Sequence, residues 1–290
     1  MIRSQEERKF RALELFANKS NLPSYSLAGD EVFKVIDDPD STVEQLVKAV
    51  LRDQNLVAHI LAVANSSFYG SLRRISSIQQ AIVLLGFEQI RNITMALRMF
   101  HSMNDVNSRA FNYRTHIAHA LMTAYGAKKM AEDLGVLNTG EVFTAGLLHD
   151  FGIPIIIRNY PKEYEEIIKI VTTEGRSLVD AEEELLGTSH QEVAAFVFEH
   201  WNLPAPLIDA IANHHTPELT TSKRKTAAFV FASDYATEIF NTGKQQYKED
   251  DLKIRSKEVS LQLSGKEDLE NYLNNYKLYY QSQIDVIKAL

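Results

Sequence analysis

Apolar residues recur at helical spacing almost from one end of this chain to the other, and that regularity restricts the fold more than any other feature. Val43, Leu46, Val47, Val50 and Leu51 fall at i, i+3, i+4, i+7 and i+8, one face of a helix. "DDPD" before them reads as a turn, and Ser41 to Glu44 ("STVE") as a capping box, in which Ser41 bonds the amide of Glu44 and the glutamate reaches back. Leu56, Ile60, Leu61 and Ala64 mark a second helix, ended by "NSSFYG". Ile78, Ala81, Ile82 and Leu85 mark a third, and Ile90, Ile93 and Leu97 a fourth. Further helices are expected at about 112–134, 140–149, 161–174, 190–201, 204–215 and 223–242, and a last at about 266–288. The stripe of that last helix is Leu269, Tyr272, Leu273, Tyr276, Tyr279, Ile284 and Ile287. Strand-like alternation is scarce, so the expected fold class is all-α.

Polar "HSMNDVNSRAF" (101–111) reads as the join between two helical lobes, and "NTGKQQYKEDD" as a second break. The expected division is 1–103, 104–242, and 243–290 as linker and closing helix. The 290 residues, 45% hydrophobic and 24% charged, suffice for one large core or two modest ones. "AIVLLGF" and "IPIII" are too short to span a bilayer, and the charged "MIRSQEERKFRALELF" does not read as a signal peptide. With no cysteine, disulfides, thiolate zinc sites and a cysteine nucleophile are excluded. That composition fits a reducing cytoplasm, the expected location. A net charge of −7 argues against a dedicated duplex-DNA binder.

Against this background several polar residues occupy apolar positions. Of nine histidines, five fall where a core residue is expected. His119 precedes Met122 and Thr123, and His149 follows Leu147 and Leu148. His190 shares a face with Val193, Ala194 and Val197, while His214 and His215 continue the rows of Leu207, Ile208 and Ile211. Asp234 continues Ala227, Val230 and Phe231, and Asp150 adjoins His149. A buried unpaired polar group costs roughly 2–7 kcal/mol, so seven must satisfy one another or a common ligand. A lone histidine on an apolar face is more often a hydrogen-bonded core residue, and a His-His pair before a turn can cap a helix. His59, His101, His116 and His200 are read that way. Imidazoles and carboxylates from several helices around a divalent cation are the other solution. Iron, manganese and zinc all suit such ligands, as one or two ions, and no organic cofactor is expected.

The order His119, His149-Asp150, Asp234 resembles the HD-domain superfamily of metal-dependent phosphohydrolases, and His190 with His214-His215 resembles the added ligands of its HD-GYP branch. The wider sequence resembles the HDOD (HD-related output domain) family over about residues 15–240. The resemblance is carried by "NLPSYSLAGDEVFKVIDDPDSTVEQLVKAVLRDQNLVAHILAVANSSFYG", "RRISSIQQAIVLLGFEQIRNI", "HALMTAYGAKKMAEDLG", "FTAGLLHDFGIPII", "LLGTSHQEVAAFVFEHWNLPAPLIDAIANHH" and "FASDYA". It implies a two-lobed all-α fold and a bacterial signalling module that works through a protein partner. It also implies that His119, His149, Asp150 and Asp234 ligate one ion, with Asp150 bridging to a second held by His190, His214 and His215. Asp150 would be the catalytic group if the chain is a hydrolase.

Three departures bear on catalysis. Ile153 stands where HD-GYP enzymes carry a phosphate-contacting lysine, Thr115 stands for their upstream glutamate, and "TPELTTSKRK" replaces the GYP segment. Isoleucine neither donates a hydrogen bond nor neutralises phosphate charge. Cyclic-dinucleotide hydrolysis is therefore not expected, and partner binding is preferred over hydrolysis of a nucleotide or other phosphate ester. Arg114, Arg158 and Lys162 are the nearby cations that could serve a phosphate-containing ligand. Asn65 and Ser66 are expected to make local backbone hydrogen bonds, and Trp201 to pack, with Pro204 opening the next helix.

Overall fold

The computed structural model describes residues 30–65, 75–101, 106, 111–137, 139–220, 225–242, 259 and 269–281. These are helical in almost every segment and contain no strand beyond an isolated bridge residue, Phe111. The elements are α1 (Glu31–Asp37), α2 (Val43–Val50), α3 (Gln54–Ala64), α4 (Ile78–His101), α5 (Tyr113–Asp133), α6 (Thr139–Leu148), α7 (Gly152–Asn159) and α8 (Pro161–Glu174). They continue with α9 (Leu178–Leu186), α10 (His190–His200), α11 (Ala205–Ala212), a 3-10 turn (Pro217–Leu219), α12 (Thr226–Thr237), a π turn (Glu238–Thr242) and α13 (Leu269–Asn274).

α1, α2 and α3 pack against α4, which also reaches α6. The third and fourth predicted helices are the two parts of α4, separated at Gly86, whose φ of 78° suits glycine. The cap of α2 differs from expectation. Thr42, not Ser41, is the N-cap: it accepts from the Gln45 amide, and the Gln45 side chain accepts from the Thr42 amide at 2.6 Å. The Ser41 hydroxyl instead donates to the carbonyls of Val35 and Asp38 and closes the turn after α1. A capping box needs the acceptor three residues past the cap, and that residue is Gln45.

Beyond α4 the helices gather around α12, every residue of which is buried. It packs on α5, α6 and α11, while α5 packs on α6, α10 on α11 and α7, and α8 on α9. α7 and α9 were not anticipated: both are short, and the apolar "IPIII" within α7 shows no resolved period. In the closing segment, bonds from the Asn275 and Tyr276 amides to residues three earlier tighten the helix. This rotates the stripe, so Tyr280 is fully buried and Tyr279 only partly. Ile284, Ile287, Ser66 and most of the 101–111 and 241–251 joins lie outside the described residues.

Thr139–Asn159 is, against expectation, long and apolar enough in composition to cross a membrane, but 89% of its most apolar 18-residue window is buried in the protein. It is two helices rather than one, broken at residues 149–151. The break carries the His149-Asp150 pair.

Candidate metal centre

Each of the seven polar residues reaches the centre from a helix or a helix end. α5 supplies His119 and α12 supplies Asp234. His149 and Asp150 follow the end of α6, His190 opens α10, and His214 and His215 follow the end of α11. All are buried except His119, whose side chain is 15% exposed.

Helix ends set the imidazole rings. The last carbonyls of a helix lack intrahelical partners. His149 Nδ1–H donates to the Gly146 carbonyl at 2.8 Å, and His214 Nδ1–H to the Ile211 carbonyl at 2.7 Å. Each ring thus satisfies a helix terminus and turns its Nε2 inward. The helix-capping and inward-facing readings of His214 are therefore both true. His190 stands at the first position of α10, after the Ser189 cap. Its Nδ1–H donates to Glu182 Oε2 at 2.7 Å, and its otherwise unpartnered backbone N–H donates to the same oxygen at 2.9 Å. Gly152 is needed close by, because a Cβ there would overlap the His190 carbonyl. The glycine of "HDFG" is thus what lets α7 begin against α10.

The donor atoms form two groups, His119–His149–Asp234 and Asp150–His190–His214–His215, each lying within 4.8 Å. Asp150 joins them. Its Oδ2 lies 3.5 Å from His119 Nε2 and 3.3 Å from His149 Nε2, and its Oδ1 lies 3.4 Å from His190 Nε2 and 3.7 Å from His214 Nε2. Within the first group His119 Nε2 is 2.9 Å from Asp234 Oδ1 and 3.3 Å from His149 Nε2. Within the second, His190 Nε2 is 3.4 Å from His214 Nε2 and 3.2 Å from His215 Nε2. Donors about 2.0–2.2 Å from a tetrahedral ion stand about 3.3–3.6 Å apart. These buried His and Asp groups could hold a metal ion.

The electrostatics of the donors differ from one to the next. Burial alone would raise the carboxyls of Asp150 and Asp234, but the histidines around each hold both well below the usual carboxylate range. Burial and neighbouring imidazoles push His214 down and His215 well down, which leaves them neutral. His149 goes well up although burial opposes it, because Asp150 and Asp234 face it. His190 rises against burial too, through Glu182 and Asp150. Burial, then Glu182 and Asp150, push the Tyr164 hydroxyl well up. A cation binds ionised carboxylates and neutral imidazoles, so the carboxylates, His214 and His215 hold the ligating form, whereas His149 and His190 would give up a proton on binding it.

A family model described as "HDOD domain" matches residues 22–217. The chain belongs to the HDOD family. The crystal structure of an HDOD domain protein with unknown function from Geobacter sulfurreducens superposes with a TM-score of 0.76 at 28% identity, covering 98% of both chains. A provisionally named phosphohydrolase from Shewanella amazonensis SB2B shares the fold, with a TM-score of 0.69 at 21% identity over 97% of this chain and 98% of that one. An uncharacterized protein of Treponema pallidum (strain Nichols) is 29% identical over 205 residues, 67% of this chain. The match spans only 37% of that relative's length. In this HDOD chain Asp234 lies beyond the matched segment, and the structure brings it beside His119.

The remaining candidates are placed as follows. Ile153 is buried, whereas Thr115, Arg114, Arg158 and Lys162 are exposed. Asn65 makes the expected backbone bonds, donating to the carbonyls of Leu61 and Ile75 and accepting from the Ile75 amide at 2.7 Å. Trp201 packs on Phe151 and Phe198, and Pro204 precedes α11. Of the four histidines read as ordinary, His116 is buried against Phe111, His59 is half-buried and His200 is exposed. Glu182 was missed. Its signal was its place on the α9 face between Leu178 and Leu186, four residues from each.

Proposed function

We propose that this chain is a signal-transduction output module that acts by binding a protein partner and holds two divalent ions in the buried centre. In this reading His119, His149, Asp150 and Asp234 hold one ion, and Asp150, His190, His214 and His215 hold the other. The observation that carries it is the aspartate between the groups, each of whose oxygens faces its own set of imidazoles. Iron, manganese and zinc all fit nitrogen and oxygen donors of this kind. Such ions, when bound, supply cross-linking between helices and can activate water. The chain's own residues favour the first use. The donors are buried, Ile153 offers no phosphate contact, and the side chains of Arg114, Arg158 and Lys162 face solvent. A cytoplasmic setting belongs to the same reading and rests on the cysteine-free composition.

Hydrolysis of a phosphate ester is the second reading, favoured by the exposed edge of His119. The test pairs elemental analysis of the purified chain with a panel of nucleotides and simple phosphate esters. We expect about two equivalents of divalent metal and no turnover. Turnover within the usual enzyme range of roughly 1–10³ s⁻¹, abolished in Asp150→Ala, would overturn the partner-binding reading. Absence of bound metal after exposure to zinc, manganese and iron would overturn the two-ion reading.

A further inference from the structure

The inward-facing rings are not held alike. His149 and His214 each lean on a neutral backbone carbonyl, whereas His190 leans on the Glu182 carboxylate. One oxygen of that carboxylate takes both the ring N–H and the backbone N–H of His190, so ring and main chain are fixed by a single atom. The other oxygen, Oε1, is buried and has no hydrogen-bond partner among the described residues, and the side chain is fully shielded from solvent. Among the described residues the ionic partner of Glu182 is His190. A full negative charge in that setting is costly unless a cation stands close by.

We propose that Glu182 is a positioning residue that makes Asp150–His190–His214–His215 the tight, slowly exchanging half of the centre, and leaves His119–His149–Asp234 as the exchangeable half. This rests on the two-ion reading above. Three features support it. A carboxylate bonded to the far nitrogen of a ligating imidazole fixes its tautomer and raises its basicity, and a carbonyl does so less. The Glu182 charge also supplements a half-site whose direct negative charge, among the described residues, is the shared Asp150. Finally, every donor of that half is buried, so its ion leaves only through local opening of the fold. The other half has an exposed edge at His119.

The experiment loads the full chain with zinc, removes excess metal by gel filtration and follows release to EDTA. We expect two phases of one equivalent each, separated by about tenfold or more in rate. Asp234→Asn should remove the fast equivalent and leave the slow one. Glu182→Gln keeps the shape and removes the charge. It should speed the slow phase by about 10–100-fold while the fast phase stays put, a selectivity that general loosening of the fold would not produce. Glu182→Asp should recover part of the difference. Wild-type protein that binds no zinc would defeat the two-ion reading. Wild-type protein that binds two ions and releases them at one rate would leave that reading standing and overturn this inference. So would a folded Glu182→Gln chain, judged by circular dichroism, that keeps its slow phase.

Discussion

Tyr280 fills the space that a side chain at position 126 would need. A Cβ on Gly126 would overlap the Tyr280 hydroxyl, which lies 2.5 Å from Ser233 Oγ, itself 2.7 Å from the Thr123 carbonyl. The closing segment is thus keyed into α5 and α12 one residue away from Asp234. Gly126→Ala should expel Tyr280 and destabilise the fold by about 1–3 kcal/mol, as overpacking does. Tyr280→Phe removes only the hydroxyl contacts and should cost about 0.5–1.5 kcal/mol. Urea unfolding of the two variants checks the order.

Metal should stabilise the chain through Asp150. At a free zinc concentration one hundred times the dissociation constant, one bound ion adds about 2.7 kcal/mol to the native state. Wild-type melting should rise with zinc, and Asp150→Ala should show little or no rise, because both half-sites lose a donor. Equal zinc shifts in the two proteins, read by differential scanning calorimetry, would exclude Asp150 from the centre.

Acid stability should depend on His116. Burial, followed by the imidazoles of His119, His149 and His190 against the pull of Asp150, depresses it from 6.5 to about 3. Between those values the unfolded chain takes up a proton that the folded chain refuses. The linked stability is therefore whole above pH 6.5 and is lost as pH falls toward 3, by at most about 1.4 kcal/mol per pH unit. His116→Phe, which can still pack on Phe111, should flatten the decline in that window. Denaturant midpoints taken from pH 7 to pH 4 make the comparison.

Arg98 ties two helix starts to α4. Its guanidinium bonds Asp30 at 2.9 Å and Asp53 at 2.5 Å. Asp30 caps α1 by accepting from the Val32 amide, and Asp53 accepts from the Leu56 amide at the start of α3. Because the arginine is about a third exposed, the ion pairs themselves should contribute no more than about 1 kcal/mol. Asp53→Ala, which also removes the cap, should cost about 1–2 kcal/mol. A double-mutant cycle with Arg98→Met separates the two contributions.

The seven inward polar residues were legible in the sequence because helical spacing assigns each an apolar neighbourhood, and backbone geometry then carries them together. Glu182 was not, since it stands in an acidic run, "DAEEELL", beside the half-buried Glu183 and the exposed Glu184. Only the two hydrogen bonds it accepts from His190, at the start of α10, select it. The cap of α2 and the Tyr279–Tyr280 register were misjudged for a related reason. Both turn on which of two adjacent residues wins a backbone bond, and periodicity does not resolve a one-residue shift. The helix expected at 140–149 does end there, at Leu148, where the His149 ring bonds the Gly146 carbonyl and marks the break.

The placement of the donors also governs when the centre can exist during folding. His119 and Asp234 are held by α5 and α12, helices that pack on each other although six of the described helices, α6 to α11, lie between them in sequence. Contacts of such wide sequence separation form only after loop-closure entropy has been overcome, so they arrive late on the folding path. Until then the chain offers only fragments, the adjacent His149-Asp150 and His214-His215 pairs. An ion captured by the complete set therefore marks a chain in which α5 and α12 have already met.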